Sequence, residues 1–332
     1  MATQDSKVQS QGQTLLQRAR RILLSQEGVL VIIMLIAVAV LATRTDRFLT
    51  VDNLLNQGRF LAEVGLIALP MTFIIITGGI DLSVGSILGL SAVMLGFSWQ
   101  EWGLPLEMAI VVALITGTLC GFVNGWFIVR VGVPPLIMTL ATLALFRGMA
   151  LGISGGGSYR GYPEWFFQMG QGELLGVPTQ LWLLVIGTII SAIILSRTIF
   201  GRTLYAIGNN EIAARFSGLS VNRVKLMIYS FSGFMSGLAA YIFVSRVSTV
   251  RSDMGSGLEL DVIAAVVLGG TSIYGGTGSI PGTIIGVILI QLLKNGLSLV
   301  GVTGDATIVV IGSVLIVTIL INNLVQSRQV RV

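Results

Sequence analysis

The sequence predicts an all-α, polytopic membrane protein of about ten transmembrane helices, with broken or short helices in each half and both termini cytoplasmic. Three observations lead there. Only 11% of the residues are charged while 54% are hydrophobic, the mean hydropathy is +0.90, and apolar runs recur along nearly the whole chain. A soluble domain carries about 25% charged residues, so an ordinary soluble fold is excluded. A helical span needs about 20 mainly apolar residues to cross the hydrocarbon, and 332 residues hold several such spans in one domain.

The chain opens on a polar stretch, 1–27, which carries Lys7, Arg18, Arg20 and Arg21 and is expected to be a cytoplasmic N-terminal segment. The first apolar run, Gly28 to Ala42, is followed by Thr43-Arg44-Thr45-Asp46-Arg47 rather than by a small-residue cleavage site, so it is expected to remain as an uncleaved span. Further runs extend from Leu61 to Thr77, Val84 to Phe97, Met108 to Val129, Leu136 to Ile153 and Leu181 to Leu195. The second half continues with Leu226 to Val244, the very short Val262 to Leu268, Gly282 to Leu293 and Ile308 to Ile321. Together they form a single membrane domain over 28–323, ahead of a cytoplasmic tail at 324–332.

Basic residues bias short loops toward the cytoplasm. Such residues gather at the N-terminus, in the segment 196–225 (Arg197, Arg202, Arg215, Arg223 and Lys225 against Glu211) and in the tail (Arg328, Arg331). Six runs separate the first two clusters and four separate the last two, so an even count places all three on one side. The segment from Ser245 to Asp261 balances Arg246 and Arg251 with Asp253, Glu259 and Asp261 and reads as a periplasmic loop. Arg147, Asp261, Lys294 and Asp305 flank or enter apolar runs, and snorkelling to the interface accounts for each as well as a substrate role does.

Composition removes most chemistry. The chain has no histidine and one cysteine, Cys120, so zinc sites, His-based nucleophile triads and an internal disulfide framework are excluded. No Gly-x-x-x-x-Gly-Lys-Ser/Thr loop is present, so the chain is not itself an obvious nucleotide hydrolase, and if ATP powers it another subunit binds the ATP. The net charge of +5 comes from arginines between apolar runs, as in cytoplasmic loops, rather than from a nucleic-acid surface.

Two glycine-rich interruptions stand out. Thr77-Gly78-Gly79-Ile80-Asp81-Leu82-Ser83 lies in the first half and Leu268-Gly269-Gly270-Thr271-Ser272-Ile273-Tyr274-Gly275-Gly276 in the second. Peptide groups freed at membrane depth are costly unless protein or water covers them, and paired breaks point to a transporter's path. Gly78, Gly79, Asp81, Ser83, Gly269, Gly270 and Thr271 are therefore candidates to line a translocation path; the alternative is that the glycines only permit close helix packing. Asp81 has two readings: hydrogen bonding to the hydroxyls of a polar solute, or an Asx-type cap for the helix resuming at Val84. In the basic segment, Glu211 to Gly218 reads as a short helix ended by Gly218. It suits either docking into a partner's groove or resting on lipid.

Taken together the chain resembles the ribose-type permease family of bacterial ATP-binding cassette importers. The residues that carry the likeness are Met71 through Ser86, then Pro134-Pro135-Leu136-Ile137-Met138-Thr139-Leu140 with Phe146-Arg147-Gly148. They continue with Gly201 through Asn210, Glu259 through Ser272, and Asn295-Gly296-Leu297, and so cover nearly everything after about Arg44. Pro70 stands where the family usually has glycine and favours a kink; with Arg251-Ser252-Asp253-Met254-Gly255 and Ile273-Tyr274-Gly275-Gly276 it resembles the autoinducer-2 and rhamnose branches.

The resemblance implies a bacterial inner-membrane permease that carries a small sugar or sugar-like solute and works with two ATPase subunits, a periplasmic sugar-binding protein and a second copy or sister permease. It implies no cofactor of the chain's own, ATP and Mg being bound by the partner ATPase, and no catalytic or metal residues. It also implies that the loop around Gly201, Arg202, Gly208, Asn209, Glu211, Ala213, Ala214, Arg215 and Gly218 fits a cleft on that ATPase. An ion-coupled secondary transporter of a small polar solute is the competing class. It would show several deep carboxylates, whereas Asp81 is the one such acid.

Overall fold

The computed structural model describes residues 26–302, 304, 306–313 and 316. The expected N-terminal segment 1–27, all but its last two positions, the tail 324–332, Asp305 and the end of the tenth run lie outside the described residues.

Apolar runs become helices because lipid leaves a peptide group no partner but another in the same segment. In chain order these are α1 (Gln26–Ala42), α2 (Val51–Ile76), α3 (Val84–Gln100), α4 (Leu106–Trp126, continued by a π-helical turn Phe127–Val131) and α5 (Pro135–Ser154). A short α6 (Gln168–Gln171) precedes α7 (Thr179–Arg197), α8 (Ile199–Asn209), α9 (Glu211–Phe216), α10 (Val221–Val247), α11 (Leu258–Leu268) and α12 (Ile280–Leu299). Residues 306–313 are helical as well. Six of these helices are long and apolar enough to cross a membrane, α4 together with its π turn among them. The all-α expectation needs one small addition. Two-residue strands pair Tyr159–Arg160 (β1) with Thr249–Val250 (β4), and Glu173–Leu174 (β2) with Val177–Pro178 (β3).

Helix α2 sits at the centre: every residue from Gly65 to Ile76 is buried, and the helix runs through Pro70 without ending. Around it, α4 and α10 form the most extensive helix pair. Their contact is built from glycine. Gly117 and Gly121 of α4 meet Gly233 of α10 backbone to backbone, so that a Cβ on Gly233 would overlap the Gly117 carbonyl and press on the Gly121 amide. Close backbone approach maximises dispersion where no hydrophobic force separates helix from lipid.

Several expectations are corrected. Helix α2 begins ten residues before the run at Leu61, because its polar start is paired inside the bundle. Asn53 and Asn295 exchange side-chain amide hydrogen bonds at 2.9 and 3.0 Å, and Gln291 donates to Gln57 at 3.2 Å. The segment 245–261 is not one loop, since α10 runs to Val247 and α11 starts at Leu258. Arg147, Lys294 and Asp261 have partners inside the protein: Lys294 pairs with Asp261, and Arg147 donates to the Ser252 and Met254 carbonyls, 2.7 Å each. At the end of the bundle away from α8, Arg246 of α10 holds buried Glu63 of α2 in a two-pronged pair at 2.7 and 3.1 Å, beneath the ring of Phe60. Paired charge-assisted hydrogen bonds of this geometry offset the cost of burying both ions.

Valine at position 233 is expected to lower stability by about 1–3 kcal/mol through overpacking. Valine at Gly148, which faces open space, is expected to stay within about 0.5 kcal/mol. Thermal unfolding of the two detergent-solubilised variants checks this; equal melting points would show that the α4–α10 glycine contact is not tight.

Candidate functional site

The first break follows a helix of 26 residues, about 39 Å at 1.5 Å per residue, which exceeds the roughly 30 Å of hydrocarbon. Gly78 turns the chain in the left-handed region (φ 77°). Asp81 is fully buried and its carboxylate accepts three hydrogen bonds: the Ser83 amide at 3.0 Å, the Ser83 hydroxyl at 2.6 Å and the Ser232 hydroxyl at 3.2 Å. Asn124 of α4 donates to Ser83 Oγ at 2.8 Å, and Thr139 of α5 donates to the Ile80 carbonyl at 3.1 Å. This Asx turn ties the segment before α3 to α4, α5 and α10. Tyr229 closes it from behind: a Cβ on Gly79 would stand 2.7 Å from its hydroxyl oxygen, which has no partner among the described residues.

The second break ends α11 after 11 residues, about 16 Å of helix, so the helix by itself is roughly half the hydrocarbon thickness. Gly269 packs against the backbone of Gly282 at the start of α12, Gly270 turns with φ 93°, and Ser279 caps α12 by accepting from the Gly282 amide at 3.1 Å. Between them the chain forms a tight loop in which Ser272 N donates to the Thr277 carbonyl at 3.1 Å. Tyr274 stands at its tip, 95% exposed. Thr271 is buried, and its hydroxyl lacks a partner among the described residues.

The two breaks, nearly 200 positions apart in sequence, meet. The Gly276 amide donates to the Ile76 carbonyl at 2.9 Å, and the Tyr274 carbonyl lies against Gly78. Helix α8 joins them: Gly208 packs so closely that a Cβ there would overlap both the Ile76 carbonyl and the Gly276 amide. Tyr205 Oη donates to the Gly278 carbonyl at 2.7 Å. The result is a three-way contact of backbone on backbone, with one member from each break and one from the basic segment.

That segment is more ordered than its sequence reading, which leaves 199–209 unassigned. Thr198 caps α8 at the Gly201 amide (3.2 Å) and Asn210 caps α9 at the Ala213 amide (2.9 Å). Gly218 ends α9 with φ 80°, as its position predicts. Glu211 fastens α9 to α10 by an ion pair to Lys225 at 2.6 Å and pairs within α9 with Arg215 at 2.7 Å. Burial pushes its carboxyl up, but the hydrogen bonds and charges of Lys225 and Arg215 outweigh that and hold it below the ordinary carboxylate value. A depressed carboxyl contributes its stability above the unfolded value and loses it as pH falls through the folded one, so the latch is intact at neutral pH.

The candidates thus separate. Among the path candidates Gly78 is exposed and Gly270 half-buried, while Gly79, Asp81, Ser83, Gly269 and Thr271 are buried. In the basic segment Arg202, Asn209, Ala213, Arg215 and Gly218 are exposed, Gly208 and Glu211 half-buried, and Gly201 and Ala214 buried. Sequence reasoning missed Ile212, 68% exposed, which with Phe216, 89% exposed, follows the Asn210 cap at i, i+4 spacing and so shares one face. It also missed Tyr274, signalled by the glycines after it. Among the described residues no group of three or more His, Cys, Asp or Glu side chains could hold a metal ion.

Known proteins share this sequence at length. The ribose import permease protein of Bacillus subtilis (strain 168) is 44% identical over 289 residues, 86% of this chain and 89% of the relative. An autoinducer 2 import system permease protein of Yersinia enterocolitica is 36% identical over 88% of this chain and 90% of its own length. The ribose import permease protein of Haemophilus influenzae is 36% identical over 93% and 96%. A family profile described as "branched-chain amino acid transport system / permease component" matches residues 53–319. That match takes in both glycine-rich breaks and helices α8 and α9, and the chain belongs to this family of transport-system permease components.

Proposed function

We propose that the chain is the permease subunit of an ATP-binding cassette importer, carrying a small sugar or sugar-like solute of the ribose, rhamnose or autoinducer 2 class across a bacterial inner membrane by alternating access. The observation that carries this reading is the seating of Gly208 against Ile76 and Gly276. A displacement of α8 cannot be absorbed by side chains there and must move the end of α2 and the loop between α11 and α12. The similarity to ribose and autoinducer 2 import permeases supports the substrate class.

In this reading the exposed face of α9, with Ile212, Ala213 and Phe216, enters a cleft on an ATPase subunit that binds ATP and Mg, as a short helix fits a groove. A periplasmic sugar-binding protein delivers the solute, and a second copy or sister permease completes the path. Ten spans put both termini in the cytoplasm, with 1–27 and 324–332 as cytoplasmic segments and 28–323 as the membrane domain. Gly78 and Tyr274 stand at the mouth of the path, with Gly79, Asp81, Ser83, Gly269, Gly270 and Thr271 shaping the breaks behind them. Alternation requires each partner to bind one state better than the other, since equal binding shifts nothing.

Three outcomes are expected. Phe216→Glu removes ATPase co-purification by tenfold or more while the chain still inserts, because a charge enters an apolar contact; undiminished recovery of the ATPase would remove α9 from the interface. Gly208→Val keeps the ATPase bound but abolishes energised uptake in reconstituted vesicles, and normal uptake by that variant would sever α8 from the breaks. Vesicles holding the permease alone are expected to take up no solute against a gradient. Uptake driven by an ion gradient without nucleotide would establish the secondary-transporter alternative.

A further inference from the structure

A cavity of about 530 Å³ opens where the π-helical end of α4, the end of α9 and the first turn of α10 come together. Arg130, Arg215 and Arg223 line it together with Val129, Leu219 and Leu226, and no acidic side chain does. Arg215 shares Glu211 with Lys225; Arg130 and Arg223 make no ion pair among the described residues. The first turn of a 27-residue helix also faces the cavity, and its free amides favour an anion.

We propose that this cavity seats the phosphodiester headgroup of an anionic glycerophospholipid of the cytoplasmic leaflet, resting for its sidedness on the orientation given above. The apolar surface beside it decides for a lipid over a protein acid. Leu119, Phe122 and Trp126 are 56%, 42% and 41% exposed on α4. With Arg130 they recur every three or four residues and form one stripe leading to the cavity. An acyl chain lies along that stripe while its phosphate meets the guanidiniums, whose planar forks suit phosphate oxygens. Basic pockets between spans on the cytoplasmic side take such headgroups. A lipid held there bridges α4, α9 and α10, and so steadies the helix that presents Ile212 and Phe216.

Native mass spectrometry of the full chain in mild detergent, titrated with phosphatidylglycerol or phosphatidylcholine, tests the assignment. Phosphatidylglycerol is expected to bind at least tenfold more tightly, and the double variant Arg130→Gln, Arg223→Gln to weaken it roughly ten- to thirtyfold, with the corresponding lysine double variant retaining most of it and Arg251→Gln, at exposed Arg251, leaving it unchanged. Equal binding of the two lipids, or full binding by the glutamine double variant, would overturn the proposal. So would competition by glycerol phosphate as effective as that of the whole lipid, which would mark a site for a free phosphate, or a glutamine double variant that keeps its lipid but loses the ATPase, which would mark a protein contact. The lysine pair separates loss of charge from loss of fold. Lipid is counted on the chain alone, so failure here leaves ATP-driven uptake standing, and failure of uptake leaves the lipid count standing.

Discussion

The carbonyl at the end of a buried helix must find a donor inside the protein, and at Ile76 the donor is the Gly276 amide from the other half of the chain. Everything of functional interest gathers around that bond. It fixes the end of the central helix, brings the two glycine-rich segments together, and leaves between them a space that only a residue without a side chain fills. Gly208 fills it. Because all three partners are backbone, the joint has no rotamers with which to yield, and motion on one side is passed to the others.

The same reasoning explains the polar residues inside an apolar bundle. Asp81 is tolerated because three donors reach its carboxylate, and Glu63 because Arg246 meets it with two. The amide pairs Asn53–Asn295 and Gln57–Gln291 hold α2 to α12 in the same way. Each is a fixed point in a fold where helix contacts otherwise rest on dispersion. Tyr229, Thr271 and the Asn124 carbonyl oxygen are the buried polar atoms near the breaks that such pairing leaves over.

Helices α8 and α9 combine two surfaces with opposite demands. One side is backbone pressed against the breaks; the other presents Ile212 and Phe216 outward. Glu211 holds the pair to α10, and the basic cavity beside Arg215 adds a place where the surrounding membrane touches the same element. In the proposed reading, transmission between a partner and the membrane domain runs through this segment of about twenty residues.

Much was legible in the sequence because hydropathy and termination signals are local. Most outer spans, such as α4, α5 and α7, begin and end within about two residues of their apolar runs, since proline, glycine and charge mark where lipid ends. The end of α9 followed from Gly218 for the same reason. The first ten residues of α2 were not legible, because Asn53, Gln57 and Arg59 look too polar for a span until their partners in α12 and β2 are seen. The sequence by itself determined that this is a bundle of apolar helices with two costly breaks and a basic segment between them. Only the tertiary structure decided that the three touch, because contacts between backbone atoms far apart in the chain leave no mark in residue type beyond a glycine.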